Sequence, residues 1–227
     1  MILEQAHENK MTRDETLKVA LMVGKILLKS GAETYRVEDT INRFCIANGY
    51  EVDIFVTPTV IILGNEQVDS FNCVSRIRYR TTNLGMISEM NDMSYKFERW
   101  PMSYRGTMAW LEEKLKAQVP YGKWKVCLAS AIASASFSAM LGGNSHDFIA
   151  AFITGGIAML VLKQIAGYRP SAFWENALAG VAIGVVALIC CAVSVQCTME
   201  KIIVGALMPF VPGVAFTNGL RDYMAGD

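Results

Sequence analysis

The spacing of apolar and polar positions changes twice along this chain. Leu17, Ala20, Leu21, Gly24 and Leu28 recur at helical spacing and mark an amphipathic helix that stops near Gly31. Ser30-Gly-Ala-Glu33 reads as a capping box that opens a second helix, running to about Asn48. In that helix Val37, Ile41, Phe44 and Cys45 form the inward stripe. Arg36, Asp39 and Arg43 face outward at spacings that suit ion pairs, and Glu38 sits at the margin. The period then falls to two. Val52, Ile54 and Val56 alternate with Asp53, Phe55 and Thr57, the pattern of a strand. Thr57-Pro58-Thr59 breaks or bulges it, Val60–Leu63 continues it, and Gly64-Asn65 signals a hairpin turn. Val68 to about Arg78 reads as a long returning strand. Helices follow from Asn83 to about Phe97 and from Ser103 to about Ala117. This order predicts a small α+β domain of helices on an antiparallel sheet.

Beyond residue 125 the pattern becomes a series of apolar runs: Val126–Leu141, Phe148–Ala166, Ala177–Val195 and Ile202–Gly219. A helix needs about 20 residues to cross a bilayer. The second and third runs meet that alone. The first is short and serine-rich, and Pro209 and Pro212 interrupt the fourth. The expectation is an α+β cytoplasmic domain over residues 1–122, followed by an all-α polytopic membrane domain over 123–227. That membrane domain has about four transmembrane helices, the fourth broken at its prolines.

Charge supports the division. Of 21 Lys/Arg and 21 Asp/Glu, only four basic and five acidic residues lie after residue 125. A half-chain so poor in charge has lipid as its solvent. Lys114, Lys116, Lys123 and Lys125 precede the first run, Lys163 and Arg169 follow the second, and Arg221 follows the fourth. The loop 142–147 has no basic residue. This alternation puts both ends on the cytoplasmic side. Met1 to Thr16 is polar and has no apolar run of the signal-peptide kind, so the first domain is expected to stay in the cytoplasm.

Zero net charge gives no footing for nucleic acid. Cys45, Cys73, Cys127, Cys190, Cys191 and Cys197 form no CxxC pair, and the two histidines, His7 and His146, stand at no ligand spacing. No metal or other cofactor is expected.

Several polar features stand out in the apolar half. Ser130, Ser134 and Ser138 place three hydroxyls on one helix face, which fits either close helix packing or the lining of a solute path. Around Gly205, Met208, Pro209, Pro212, Gly213 and Asn218, the two prolines are expected to free the carbonyls of Gly205 and Met208. Freed backbone of this kind marks solute sites in transporters, and a plain proline kink is the other reading. Together with the serine stripe these residues form the expected substrate path. His146, Asp147 and Asp222 are candidates for proton coupling, though each also suits a helix end.

No GxSxG, Walker loop or HExxH is present. Glu38, Asp53, Thr57 and Thr59 can be gathered into a hydrolytic site only on paper. A membrane-anchored hydrolase carried by the first domain is the alternative reading, and a sensor domain that gates the membrane part is a third.

A family resemblance rests on several segments. Ser30-Gly-Ala-Glu-Thr-Tyr-Arg-Val-Glu-Asp39, Asp53-Ile-Phe-Val-Thr-Pro-Thr59, Arg78-Tyr-Arg-Thr-Thr-Asn-Leu84 with Asn91, and Val204-Gly-Ala-Leu-Met-Pro-Phe-Val-Pro-Gly213 with Asn218 and Asp222 occur in that order. They resemble the motifs of the threonine/serine exporter (ThrE) family, in particular its split, YjjP-like type. The resemblance implies an inner-membrane exporter of small polar metabolites, such as threonine, serine or a dicarboxylate like succinate. It implies an ion gradient as the energy source and a second, smaller membrane subunit as partner. It also marks Glu33, Arg36, Glu38, Thr57, Pro58, Thr59, Arg78 and Asn83 as motif residues of the cytoplasmic domain. Members of this type continue past Asp222 into a further membrane helix. Here the chain stops at Asp227, so a shortened membrane part is expected.

Overall fold

A computed structural model describes residues 11–64, 73–77, 79–100, 102–116, 121–165 and 172–225. The chain divides into two compact units: Met1–Val119 with Gly213–Asp227, and Pro120–Pro212.

The first unit contains α1 (Arg13–Lys29), α2 (Thr34–Ala47), β1 (Asp53–Val56), β2 (Val60–Gly64), β3 (Cys73–Arg76), α3 (Leu84–Arg99) and α4 (Tyr104–Lys116). A last helix, Gly213–Ala225, joins them. The strands form an antiparallel sheet in the order β1-β2-β3, with Val56 opposite Ile61, and Leu63 opposite both Ile54 and Cys73. Val56, Ile61 and Leu63 turn into the core, where they join Val23, Leu27, Ile41 and Phe44. The inward stripe expected on α2 is buried throughout, and the Phe44 and Phe97 rings lie 4.7 Å apart.

Two local expectations are corrected. The capping box belongs to α1, where the Thr12 hydroxyl accepts from Glu15 N–H and the Glu15 carboxylate accepts from Thr12 N–H. Ser30 instead caps the end of α1, and Glu33 precedes α2 without a side-chain cap bond. The cause is a Schellman turn. Ala32 N–H donates to Leu27 O at 3.0 Å, Gly31 N–H donates to Leu28 O at 3.1 Å, and Gly31 takes a φ of +85° that a side chain would resist. That turn consumes Ser30 before the second helix begins.

The second correction concerns Thr57-Pro58-Thr59, which reverses the chain rather than bulging one strand. Thr57 N–H donates to Val60 O at 2.8 Å, and the Thr57 hydroxyl accepts from Val60 N–H at 3.0 Å, closing a tight hairpin. Of the long returning strand, Cys73–Arg76 is described as strand; Asn65 and Val68 lie outside the described residues.

The second unit is helical: α5 (Lys123–Met140), α6 (Ser145–Ile165), α7 (Ala172–Val193) and α8 (Met199–Leu207), which tightens into a 3₁₀ turn at Met208–Phe210. α6 and residues Phe173–Val193 of α7 are long and apolar enough to cross a membrane, with mean hydropathies of 1.9 and 2.4. Their outer faces expose Ile149, Ile153, Val181, Val185 and Ile189, while Ala151, Thr154, Ala158, Ile183 and Ala187 are buried. Large apolar side chains outside and mostly small ones inside is the arrangement of a helix bundle in lipid. The fourth apolar run is broken at its prolines. Val211 is extended, and a separate helix, α9 (Gly213–Ala225), starts after Pro212.

Candidate functional site

The polar motifs of the first unit meet where α1 ends. A Cβ on Gly31 would lie 2.8 Å from Thr81 O, so the segment before α3 passes close against the turn. Thr81 N–H donates to Lys29 O at 2.8 Å and Asn83 N–H to Ser30 O at 2.9 Å. The Arg80 guanidinium reaches Leu28 O at 3.2 Å, Ala32 O at 3.0 Å and Pro58 O at 3.4 Å. A cation here complements the carbonyls gathered at the negative end of a helix. Asn83 caps α3, its side-chain oxygen accepting from Met86 N–H at 3.1 Å.

Three side chains of α9 reach the same turn. The Asn218 amide donates to Gly31 O at 2.9 Å. Arg221 pairs with Glu33 and lies over the Tyr35 ring. The Thr34 hydroxyl donates to Asp222 at 2.9 Å, with both residues buried. Arg36 approaches the other Glu33 oxygen at 3.4 Å. Burial alone would push the Glu33 carboxyl up. Hydrogen bonds from Tyr35 and Arg221, with the charges of Arg221 and Arg36, outweigh it and hold Glu33 below the usual glutamate range.

A cavity of about 300 Å³ opens beside these groups. Its polar lining is Glu33, Arg36, Ser88, Asn91 and Asn218, and Leu84, Ile87 and Val214 form apolar wall. The lining comes from the start of α2, the first half of α3 and the first half of α9. Such a lining can bind a small polar molecule by charge and hydrogen bonds at once.

The other motif residues of this unit have structural partners. Glu38 accepts from Val56 N–H at 2.9 Å and so ties α2 to β1. The Thr57 hydroxyl is engaged in the hairpin beside Pro58, where it also accepts from Thr59 N–H at 3.4 Å. Asp53 is exposed opposite Gly64. Arg78 lies outside the described residues. Arg80, Thr34 and Arg221 were not singled out as site residues in the sequence. Their work is done through backbone carbonyls or partners far along the chain, which spacing does not reveal.

In the second unit the serine stripe forms a tight seam. Ser130, Ser134 and Ser138 are all buried. The Ser130 hydroxyl donates to Gly155 O at 3.2 Å. The Ser134 and Ser138 hydroxyls have no partner among the described residues. A Cβ on Gly155 would fall 2.0 Å from the Ser134 hydroxyl, and one on Gly205 would fall 2.8 Å from Ser134 O and 2.9 Å from Ser138 Cβ. These glycines let α6 and α8 touch α5 directly.

The Met208 carbonyl, expected to be freed by Pro212, accepts from Val211 N–H at 3.3 Å, because the backbone tightens into the 3₁₀ turn at Pro209. After Pro212, Gly213 O accepts from the Thr217 hydroxyl at 3.0 Å. Asn218 and Asp222 belong to the first unit. Asp147 is fully buried. Its two oxygens accept the backbone N–H groups of Asn144 and Thr198, clasping the starts of α6 and α8, while His146 beside it is exposed.

The family model ThrE, described as "Putative threonine/serine exporter", matches residues 18–227. No curated protein and no solved structure matches the chain.

Proposed function

Because the chain belongs to the ThrE family, we propose that it is the larger subunit of a secondary exporter of small polar metabolites, with threonine and serine as first candidates. The observation that carries this reading is the family match across both units, together with two apolar helices whose outer faces suit lipid. The basic residues around the start of α5 and the end of α6 support an orientation with the first unit in the cytoplasm, as in an inner-membrane protein. The resemblance to the family's split type, in which a second membrane protein supplies further helices, supports a smaller membrane partner.

The solute step is assigned to the seam of α5 with α6 and α8. Buried hydroxyls without partners are costly, and a helix face has no packing need for Ser134 and Ser138 over alanine. When the seam parts, these hydroxyls offer hydrogen bonds to a passing solute. The break at Pro209 and Pro212 gives the backbone next to Gly205 a place to bend. Asp147 is the leading coupling candidate, since a proton on its carboxylate removes an acceptor from the clasp between α6 and α8.

The reading is tested by feeding cells a serine- or threonine-containing dipeptide. Cells lacking the chain should hold a larger internal pool of the free amino acid than cells that carry it. Equal pools and equal external accumulation would reject the reading.

A further inference from the structure

The cavity in the first unit has a lining that fits one chemical class better than its neighbours. Its walls carry one guanidinium, Arg36, and one carboxylate, Glu33. Neither is sealed away: their side chains are 42% and 20% exposed. The Asn91 and Asn218 amides and the Ser88 hydroxyl line the same cavity. Asn218 spends a donor on Gly31 O, which leaves its carbonyl oxygen as an acceptor. Glu33 receives Arg221 and Arg36, and a carboxylate offers about four lone-pair sites, so acceptor capacity remains. At about 300 Å³ the space lies at the small end for ligand pockets.

We propose that this cavity binds the ammonium and carboxylate groups of a free α-amino acid, with Arg36 and Asn91 on the carboxylate and Glu33 and Asn218 on the ammonium. Ser88 meets a polar side chain, and Leu84, Ile87 and Val214 cover its aliphatic part. A dicarboxylate of similar size fits less well, because its second carboxylate has no ammonium to set against Glu33 and meets a like charge there. One wall comes from α9, which also holds Glu33 and Thr34 through Arg221 and Asp222. An occupied cavity therefore fastens α9 to α2 more firmly than an empty one. The choice of a small hydroxylated amino acid rests on the exporter reading; the need for a zwitterion rests on the cavity alone.

The test is calorimetric titration of the purified full chain in nanodiscs with L-serine, L-threonine and succinate, with hydrogen exchange of residues 213–225 followed in parallel. L-Serine or L-threonine should bind and slow exchange in α9, and succinate should not displace them. Arg36→Gln should weaken binding by about 10- to 100-fold, the range for a lost charge-assisted hydrogen bond. Asn91→Ala should weaken it by a smaller factor while the melting temperature stays near that of the parent. Absence of amino-acid binding to the parent chain, equal binding by well-folded Arg36→Gln and Asn91→Ala variants, or preferential binding of succinate would each overturn the proposal. Efflux measured in cells separates the two claims. Binding without efflux removes the exporter reading and leaves the cavity assignment; efflux untouched by variants that also bind normally does the reverse.

Discussion

The Thr34 hydroxyl donates a 2.9 Å hydrogen bond to Asp222 Oδ1, joining the first turn of α2 to a helix 188 residues later in the chain. Both residues are buried, so the contact is shielded from water. It anchors α9, whose own exposed face carries Phe216, Leu220 and Tyr223 and provides little packing.

Asp222→Ala should therefore loosen the end of the chain. Loss of a shielded acceptor from a buried hydroxyl costs about 1–3 kcal/mol. Hydrogen exchange should quicken in residues 213–225 first, with α1 and the sheet following only on global unfolding. Unchanged exchange in α9 would mean that Arg221 and Asn218 suffice to hold it.

The Glu33 pairings carry a pH signature. In the folded chain Tyr35, Arg221 and Arg36 overcome the effect of burial and keep this carboxyl ionised below the ordinary glutamate range. Their stabilisation is complete above that range and disappears as pH falls through the depressed folded value. Glu33→Gln should lower the melting temperature at neutral pH and flatten its decline in acid. Parallel acid profiles for the parent and the variant would contradict this assignment.

Arg80 holds three carbonyls around the end of α1 with one planar fork. Arg80→Ala should cost about 1–2 kcal/mol, because the side chain is partly open to solvent. Arg80→Lys should recover little, since an ammonium cannot span the same acceptors. Thermal melts of the two variants check both statements, and full recovery by lysine would reduce the contact to simple charge.

The α5 seam separates packing from transport. Gly155→Ala drives a methyl group to within 2.0 Å of the Ser134 hydroxyl and should destabilise the bundle by about 1–3 kcal/mol. Ser134→Ala and Ser138→Ala remove hydroxyls that have no partner among the described residues, so stability should hold or rise slightly. Efflux by the double serine variant should nevertheless fall by about tenfold, the equivalent of one lost hydrogen bond in the rate-limiting state. Normal efflux with normal stability would make the seam purely structural.

Much of the architecture is legible in residue spacing. The stripe Val37, Ile41, Phe44 and Cys45 is buried as its period requires, and Asn83 caps a helix where its neighbours predict one. Local polar patterns were less informative. Ser30 and Glu33 match a capping box, yet Gly31 completes a Schellman turn between them and leaves Ser30 in the preceding helix. Pro58 blocks strand pairing equally well in a bulge and in a hairpin, and the choice depends on where β2 pairs. The cavity was the least legible feature. Its residues come from α2, α3 and α9, and its position depends on Asp222, Arg221 and Asn218 meeting a turn almost two hundred residues earlier. Hydropathy places Asn218 in the fourth apolar run and Arg221 and Asp222 directly after it, because composition reports the solvent a segment suits and carries no information on distant partners.

The most direct test of export uses everted membrane vesicles, in which the cytoplasmic face points outward and export appears as uptake. Vesicles from cells that carry the chain in its native genomic context should accumulate labelled L-serine or L-threonine when energised, and an ionophore should collapse that accumulation. Uptake equal to that of vesicles from cells lacking the chain would contradict the account.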